Sequence, residues 1–246
     1  MSPTGHEHST APALLDLVDA PLRGEGDEGI LSRLARTVTG LSGVEAAGCN
    51  LLDTDGRPAL TAATHDSADQ LERAQSELRE GPCLDSARTN KALVNVSMTH
   101  PHSRCRWPRY TQRVLQAGFT AVTALPIRHE VGVTGSLSLY HQREALCEED
   151  LAWSRLLASA AAISLAHRST LLRAQTRERQ LQAALDSRVL IEQAKGLLAE
   201  RFDCTVDDAF DLLRDHARTH QVKLLDLARQ VVDDRATGGP FTRKRN

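Results

Sequence analysis

The spacing of apolar residues divides the chain into three regions. In the first region, apolar residues recur at helical intervals between Ile30 and Val38, and then alternate with polar residues in short runs. From Glu148 to Arg201 the alternation stops, and this stretch contains one glycine and no proline. It therefore predicts a long helix, or two helices with a bend. Beyond residue 204, apolar residues again recur at helical spacing and predict two shorter helices.

The first region combines strand and helix patterns. Its clearest turn is Asp53-Thr-Asp-Gly56, which joins two strand candidates into a hairpin. A second pair of strand candidates is joined around residues 128–130. This combination predicts an α+β fold with an antiparallel sheet flanked by helices. The predicted strands are 44–52, 59–64, 92–96, 120–127 and 131–140, the predicted helices include 67–79, 83–88 and 109–117, and 99–108 is expected to be a long ordered loop.

The last region predicts a bundle of three helices at the end of the long connecting helix. Thr205 supplies an N-cap, and Asp208 follows three positions later, as in a capping box. Ala184, Ile191 and Leu198 recur every seven residues, which predicts a short coiled coil or a bundle seam. The chain then divides into a disordered tail (1–12), an N-terminal domain (13–166), a helical linker or coiled coil (167–180), a C-terminal domain (181–236) and a second disordered tail (237–246).

Composition argues against several classes of protein. The net charge is −2 and aromatic residues make up 3% of the chain, which argues against bulk positive charge or a base-stacking aromatic surface as the means of binding nucleic acid. The polar N-terminus does not resemble a signal peptide, and no apolar run is long enough to cross a membrane. The five cysteines are scattered without a CxxC motif, which favours reduced thiols. We therefore expect a cytoplasmic protein.

One helix face near the C-terminus carries candidate functional residues. Arg188, Glu192 and Lys195 lie four and three positions apart and so share this face. Gly196 follows within the helix, where glycine costs about 1 kcal/mol relative to alanine. Two interpretations are open at this point. The face is either a solvated set of ion pairs with a glycine packing contact, or a surface that another backbone or a nucleotide base approaches closely.

The surrounding sequence resembles the ANTAR domain of bacterial transcription antiterminators. The resemblance is carried by the segments 181–188 and Ile191-Glu-Gln-Ala-Lys-Gly196, by Asp208-Ala-Phe210 with Leu213-Arg214, and by Lys223-Leu224 and Ala228. It implies binding to paired stem-loops in nascent leader transcripts, which prevents a terminator hairpin from forming. We also expect a homodimer, because two domains that engage two linked RNA loops gain avidity. The RNA-binding residues that the resemblance implies are Arg188, Gln193, Lys195, Gly196 and Arg214.

The first region resembles the GAF sensor domain, which is often paired with ANTAR. The resemblance extends from about Gly29 to Ala166. It implies a small-molecule pocket between the sheet and its covering helices, but it does not identify a ligand and requires no cofactor. The motifs that carry it are Glu80-Gly-Pro-Cys-Leu-Asp85, Arg106-Trp-Pro108, Gly118 and Ala124-Leu-Pro126, and the candidate pocket residues are Cys83 and Trp107.

Cys83 and Trp107 each have two interpretations. Cys83 is expected to open a short helix, whose N-terminus would lower the pKa of the thiol; the alternative is a small buried apolar residue. Trp107 is either a core or lid residue, or it stacks on a ligand. His100, His102 and Cys105 match no strong pattern of metal ligands, so we expect an ordinary loop without a metal there.

The leading interpretation is a signal-responsive RNA-binding regulator without enzymatic activity, in which the long helix couples the sensor to the paired C-terminal domains. The first alternative is a thiol-dependent reductase of free methionine sulfoxide, with Cys83 as nucleophile and Cys105 as resolving thiol. The second is a coiled-coil interaction protein that binds no RNA. A DNA-binding helix-turn-helix is disfavoured, because no short turn precedes a basic helix.

Overall fold

The computed structural model describes residues 7–40, 44–53, 55–130, 133–142, 145–234 and 241. The chain divides into two compact units, Met1–Leu171 and Leu172–Asn246. One helix, α7, is a continuous element of 55 residues from Glu148 to Phe202, so it begins in the first unit and ends in the second. Of the two predictions for this stretch, the single long helix is confirmed.

A five-stranded sheet forms the centre of the N-terminal unit. The strands lie in the order β2-β1-β5-β4-β3, and each neighbouring pair is antiparallel. This confirms the predicted α+β class with an antiparallel sheet. The strand bounds are β1 Ala46–Leu52, β2 Pro58–Ala63, β3 Leu93–Ser97, β4 Ala121–His129 and β5 Val133–His141.

Helices cover both faces of this sheet and bury two apolar clusters against it. The helices of the unit are α1 Glu7–Val18, α2 Asp27–Val38, α3 Asp66–Leu78, α4 Pro82–Thr89, α5 Pro101–Arg106, α6 Pro108–Gln116 and the first part of α7. One cluster joins α2 and α7 to the sheet through Leu31, Leu34, Ala47, Cys49, Leu137, Leu139, Leu157 and Leu165. The other joins α3, α4 and α6 to the opposite face through Leu71, Ala74, Cys83, Tyr110, Val122, Ala124 and Tyr140.

Two glycines allow groups to approach the strands closely. A Cβ at Gly135 on β5 would collide with the carbonyl oxygen of Asn50 on β1. A Cβ at Gly48 on β1 would collide with the side chain of Glu72, which α3 directs towards the sheet. Both glycines lie within strands predicted from the sequence, and a glycine inside a strand is common where another backbone or side chain comes close.

The structure corrects two sequence predictions in this unit. Residues 99–108 were expected to form a loop, but α5 occupies Pro101–Arg106 and α6 begins at Pro108. The side chain of His100 accepts a hydrogen bond from the backbone of His102, and Pro101 suits the first turn of a helix. The predicted disordered tail 1–12 is also too long, because α1 begins at Glu7; residues 1–6 lie outside the described residues.

The C-terminal unit is a bundle of the last part of α7 with α8 (Val206–Thr219) and α9 (Leu224–Asp233). The capping box at the start of α8 is confirmed, since Thr205 Oγ1 accepts from the backbone of Asp208 and the Asp208 carboxylate accepts from the backbone of Thr205. The bundle buries Ala194, Leu198, Ala209, Leu213, Ala217, Leu227, Ala228 and Val231.

The seven-residue repeat on α7 divides between two environments. Leu198 is buried inside the bundle, Ile191 packs against its core, and Ala184 is exposed. The C-terminal half of the predicted seam is therefore the interior of the bundle within this chain. The predicted tail 237–246 lies outside the described residues except for Phe241, which packs against the bundle with its ring 6.5 Å from that of Phe202.

Candidate functional site

Arg188 and Gln193 on α7 are exposed to solvent, as a binding role requires. Arg188 forms no ion pair with any residue that the structure describes. An exposed guanidinium can stack on a base or form two parallel hydrogen bonds to a phosphate or a base edge. Of the residues that the resemblance implied, Arg188 therefore has the geometry best suited to contact RNA.

Lys195 has a different environment from Arg188, although the spacing places both on one helix face. Its side chain is only 13% exposed, and its Nζ donates to Glu192 Oε1 at 3.0 Å. The same ammonium lies 5.3 Å from the centre of the Phe210 ring on α8, which is a cation–π contact. Lys195 thus already has partners within the chain, and its stem covers the edge of the bundle core.

Gly196 is exposed, and a Cβ added there would meet no atom of the described residues within 4 Å. Packing against the described part of the chain therefore does not explain the glycine, which argues against a packing contact inside the bundle. A mid-helix glycine lowers helix stability by about 1 kcal/mol relative to alanine. No contact among the described residues offsets this cost at Gly196.

Arg214 lies on α8, on a different helix from the other four implied residues. Its guanidinium is paired with Asp211 at 2.8 Å and is 44% exposed. Exposed carboxylates at Asp207, Asp211 and Asp215 lie on the same helix. They lower the local positive potential, so Arg214 is the least suited of the implied residues to attract a phosphate.

A ring stack on the C-terminal unit was not foreseen from the sequence. The rings of His216 and His220 are stacked with centres 4.0 Å apart, and the Phe241 ring lies 4.5 Å from His216. Burial, and to a lesser degree the charge of His220, lower the pKa of His216. Two histidines four positions apart on a predicted helix are the sequence signal that would have indicated this stack.

Cys83 opens α4 as predicted, but the prediction of a lowered thiol pKa is wrong. The side chain is fully buried, and its Sγ lies 2.7 Å from Ser138 Oγ. Burial raises the pKa of the Cys83 thiol well above its ordinary value, and the charge of Glu72 raises it further. Desolvation therefore outweighs the helix N-terminus, and the thiol stays protonated. This environment opposes the role of nucleophile that the reductase alternative requires.

Glu72 is the centre of a buried polar network that the sequence did not reveal. Its carboxylate accepts from Asn50 Nδ2 at 2.9 Å, from Tyr140 Oη at 2.8 Å and from Gln75 Nε2 at 3.3 Å. Tyr110 Oη lies 3.2 Å from Tyr140 Oη and extends the network. Burial raises the pKa of Glu72, while the hydrogen bonds from its neighbours oppose the shift. On an amphipathic helix a glutamate is normally expected to face water, which is why this residue was missed.

Trp107 is a core residue whose polar edge is already satisfied. The side chain is 4% exposed, and its Nε1 donates to Asp85 Oδ2 at 3.2 Å. Arg106 donates to the same oxygen at 2.7 Å, and its guanidinium lies 4.9 Å from the centre of the indole ring. These contacts favour the core interpretation of Trp107 over a ligand-stacking role.

Two cavities in the N-terminal unit are lined by residues other than Cys83 and Trp107. One of about 450 Å³ is lined by α5 and α6 residues including Arg104, Pro108 and Leu115. Another of about 400 Å³ lies beside Arg57 and Arg79. Among the described residues, no group of three or more His, Cys, Asp or Glu side chains is arranged to hold a metal ion.

The remaining cysteines differ in their exposure. Cys49 is buried, Cys105 and Cys147 are exposed, and Cys204 is partly covered. None of the described helices has both the length and the apolar character needed to cross a bilayer.

Two family models match the chain. A GAF domain model matches residues 27–166, which is more than half of the chain, and an ANTAR domain model matches residues 179–232. No curated protein matches the chain in sequence. The two matches confirm both resemblances found in the sequence.

Solved structures with a similar fold include GAF domains. The GAF domain from an Acinetobacter phosphoenolpyruvate-protein phosphotransferase has a TM-score of 0.50 and 14% identity, covering 68% of this chain and 97% of that chain. An N-acylhomoserine lactone dependent LuxR family transcription factor from Burkholderia cenocepacia has a TM-score of 0.50 and 16% identity, covering 65% and 98%. A bacteriophytochrome from R. palustris has a TM-score of 0.50 and 15% identity, covering 74% and 43%. At such identities the similarity shows the fold alone.

The substitution Glu72→Gln tests the buried network. Because burial raises the pKa of Glu72 above its ordinary value of 4.5, the folded chain binds this proton more tightly than the unfolded chain. The stability that the protonated Glu72 contributes is complete below pH 4.5, the ordinary pKa of glutamate. This stability is lost as the pH rises through the pKa of Glu72 in the folded state. We expect the melting temperature of Glu72→Gln to fall less than that of the wild type between about pH 5 and pH 8. Glu77→Gln, an exposed position on the same helix, is the control, and identical profiles for both variants would contradict the prediction.

Proposed function

The chain belongs to the GAF domain family and carries an ANTAR domain, and from this premise we propose that it is a signal-responsive regulator that binds stem-loops in nascent leader transcripts and prevents transcription termination. ANTAR is a family of RNA-binding antiterminator domains, and GAF domains act as sensors. Together they favour a regulator over an enzyme. Action on nascent transcripts implies that the protein works in the cytoplasm.

The observation that carries the proposal is an exposed guanidinium close to an unexplained glycine on α7. Arg188 is exposed without an ion pair among the described residues, and Gly196 lies two turns further along with open space beside it. RNA readers commonly stack unpaired bases on arginine and bond their edges with polar side chains such as that of Gln193. A missing Cβ lets a ribose or base approach the helix backbone closely.

The structure changes the role that we propose for Lys195. Its ammonium is held between Glu192 and the Phe210 ring, so binding RNA directly would require it to give up both contacts. We infer that Lys195 fixes the face beside Gly196 and joins α7 to α8. Direct contacts with RNA are then assigned to Arg188 and Gln193, with a smaller part for Arg214.

The exposed middle of α7 supports pairing with a second copy of the chain. Residues 170–186 of this helix are all exposed, and helices without packing partners are only marginally stable in water. Leu181, Leu185 and Val189 recur every four positions and are each more than half exposed. We propose that two copies pair along this apolar stripe, which presents two RNA-binding domains to two linked loops. A signal in the GAF domain would then act by changing this pairing.

Arg188→Ala tests the RNA contact. We expect the affinity for a two-loop leader RNA to fall about tenfold, the effect of losing one charge-assisted hydrogen-bonding group. A mobility-shift assay at fixed salt measures the change. Arg177→Ala removes an exposed arginine from the same helix outside the ANTAR match and is the control. If neither variant nor the wild type shifts the RNA, the interaction protein without RNA binding replaces the present proposal.

Gly196→Ala separates stability from binding. Because no described residue comes within 4 Å of a Cβ there, alanine should raise the free energy of unfolding by about 1 kcal/mol. We expect the same variant to bind the leader RNA at least several-fold more weakly in the mobility-shift assay, because the methyl group blocks close approach. A more stable variant with wild-type RNA affinity would show that this surface of α7 does not meet the RNA.

The double variant Leu181→Gln, Leu185→Gln tests pairing. We expect sedimentation velocity to show a monomer, and affinity for a two-loop RNA to drop to that for a single loop because avidity is lost. Leu212→Gln changes an exposed leucine on α8 and is the control. A double variant that stays dimeric would place the pairing surface elsewhere, and equal RNA affinity for monomer and dimer would remove pairing from the mechanism.

A further inference from the structure

Three arginines line a cavity of about 400 Å³ in the N-terminal unit, where the turn between β1 and β2 meets α3 and α4. Arg57 follows the turn, Arg79 follows α3, and Arg88 belongs to the last turn of α4. Asp55 is the one carboxylate among the residues that line the cavity. The described lining therefore carries a clear excess of positive charge.

None of the three guanidinium groups is neutralised by a described residue of the chain, since each lacks an ion pair there. Two nearby carboxylates, those of Glu80 and Asp85, are engaged with other groups. Glu80 accepts from the backbone of Arg109 and Tyr110, and Asp85 accepts from Arg106 and Trp107. Glu80 and Asp85, which lie close to Arg79 and Arg88 in the sequence, thus have other partners.

The backbone at Arg79 adopts the left-handed conformation that often ends a helix. Arg79 has a φ of 55° at the C-cap of α3, in the left-handed region. Glycine is the usual residue at such a position, because side chains with a Cβ rarely adopt this conformation. The Arg79 backbone therefore adopts a conformation that is unusual for a residue with a side chain.

We propose that this cavity binds a small phosphate-bearing molecule. Arginine side chains match the oxygens of phosphate in a bidentate manner, and three exposed arginines line a space the size of a small-metabolite site. A bound phosphate would join the β1–β2 turn to the ends of α3 and α4, the two helices that hold Glu72 and Cys83. The site is distinct from the predicted pocket at Cys83 and Trp107, and it does not depend on RNA binding.

Calorimetric titration of the full chain with sodium pyrophosphate at constant ionic strength tests the proposal. We expect saturable binding, which Arg79→Gln and Arg88→Gln each weaken about tenfold because each removes charge-assisted hydrogen bonds. Arg113→Gln, an exposed arginine on α6 that does not line the cavity, is the control and should bind as the wild type does. Melting curves confirm that each variant is folded.

Several results would overturn the proposal. The first is that the folded wild type shows no saturable binding at millimolar pyrophosphate. The second is that Arg113→Gln weakens pyrophosphate binding as much as the cavity variants do. The third is that citrate binds as tightly as pyrophosphate, which would assign the site to carboxylates. RNA affinity is measured on the same variants. A loss of RNA binding without a change in pyrophosphate binding would assign these arginines to RNA instead. If pyrophosphate does not bind, the results of the Arg188 and Gly196 experiments do not change. The phosphate-site proposal and the RNA-binding proposal can therefore fail independently.

Discussion

Helix α7 is one continuous helix that supplies core residues to both units, and the packing of each unit depends on it. Its first turns bury Leu157, Ala161 and Leu165 against the sheet of the N-terminal unit. Its last turns bury Ala194 and Leu198 between α8 and α9. Between them, residues 170–186 are all exposed to solvent. Each unit thus depends on α7 for part of its core.

Burial controls the chemistry of the charged and reactive groups more strongly than their position on a helix. Cys83 sits at a helix N-terminus, yet desolvation keeps its thiol protonated. Glu72 retains its place because Asn50, Gln75 and Tyr140 direct donors at its carboxylate. An isolated carboxylate in that position would be far more costly. Cys83, one of the two residues proposed from the sequence to line a ligand pocket, is fully buried beside this network.

The sequence predicted those features that depend on local patterns. The strands, the capping box at Thr205 and the length of α7 follow from periodicity, turn residues and the absence of proline. It missed α5, because a segment of six residues is too short to show a period. The spacing places Lys195 and Arg188 on one face of α7, but it does not show that Lys195 also contacts the Phe210 ring on α8, whereas Arg188 is exposed. Such differences are tertiary and leave no local signature.

The distribution of thiols has a practical consequence for spectroscopy. Cys105 lies on α5 and Cys147 just before α7, and both are exposed, whereas Cys49 and Cys83 are sealed within the sheet and helix layers. Reaction with a maleimide requires access to the sulfur. A fluorescent dye added to the native chain would therefore mark the N-terminal unit first, and could report motion there without any engineered cysteine.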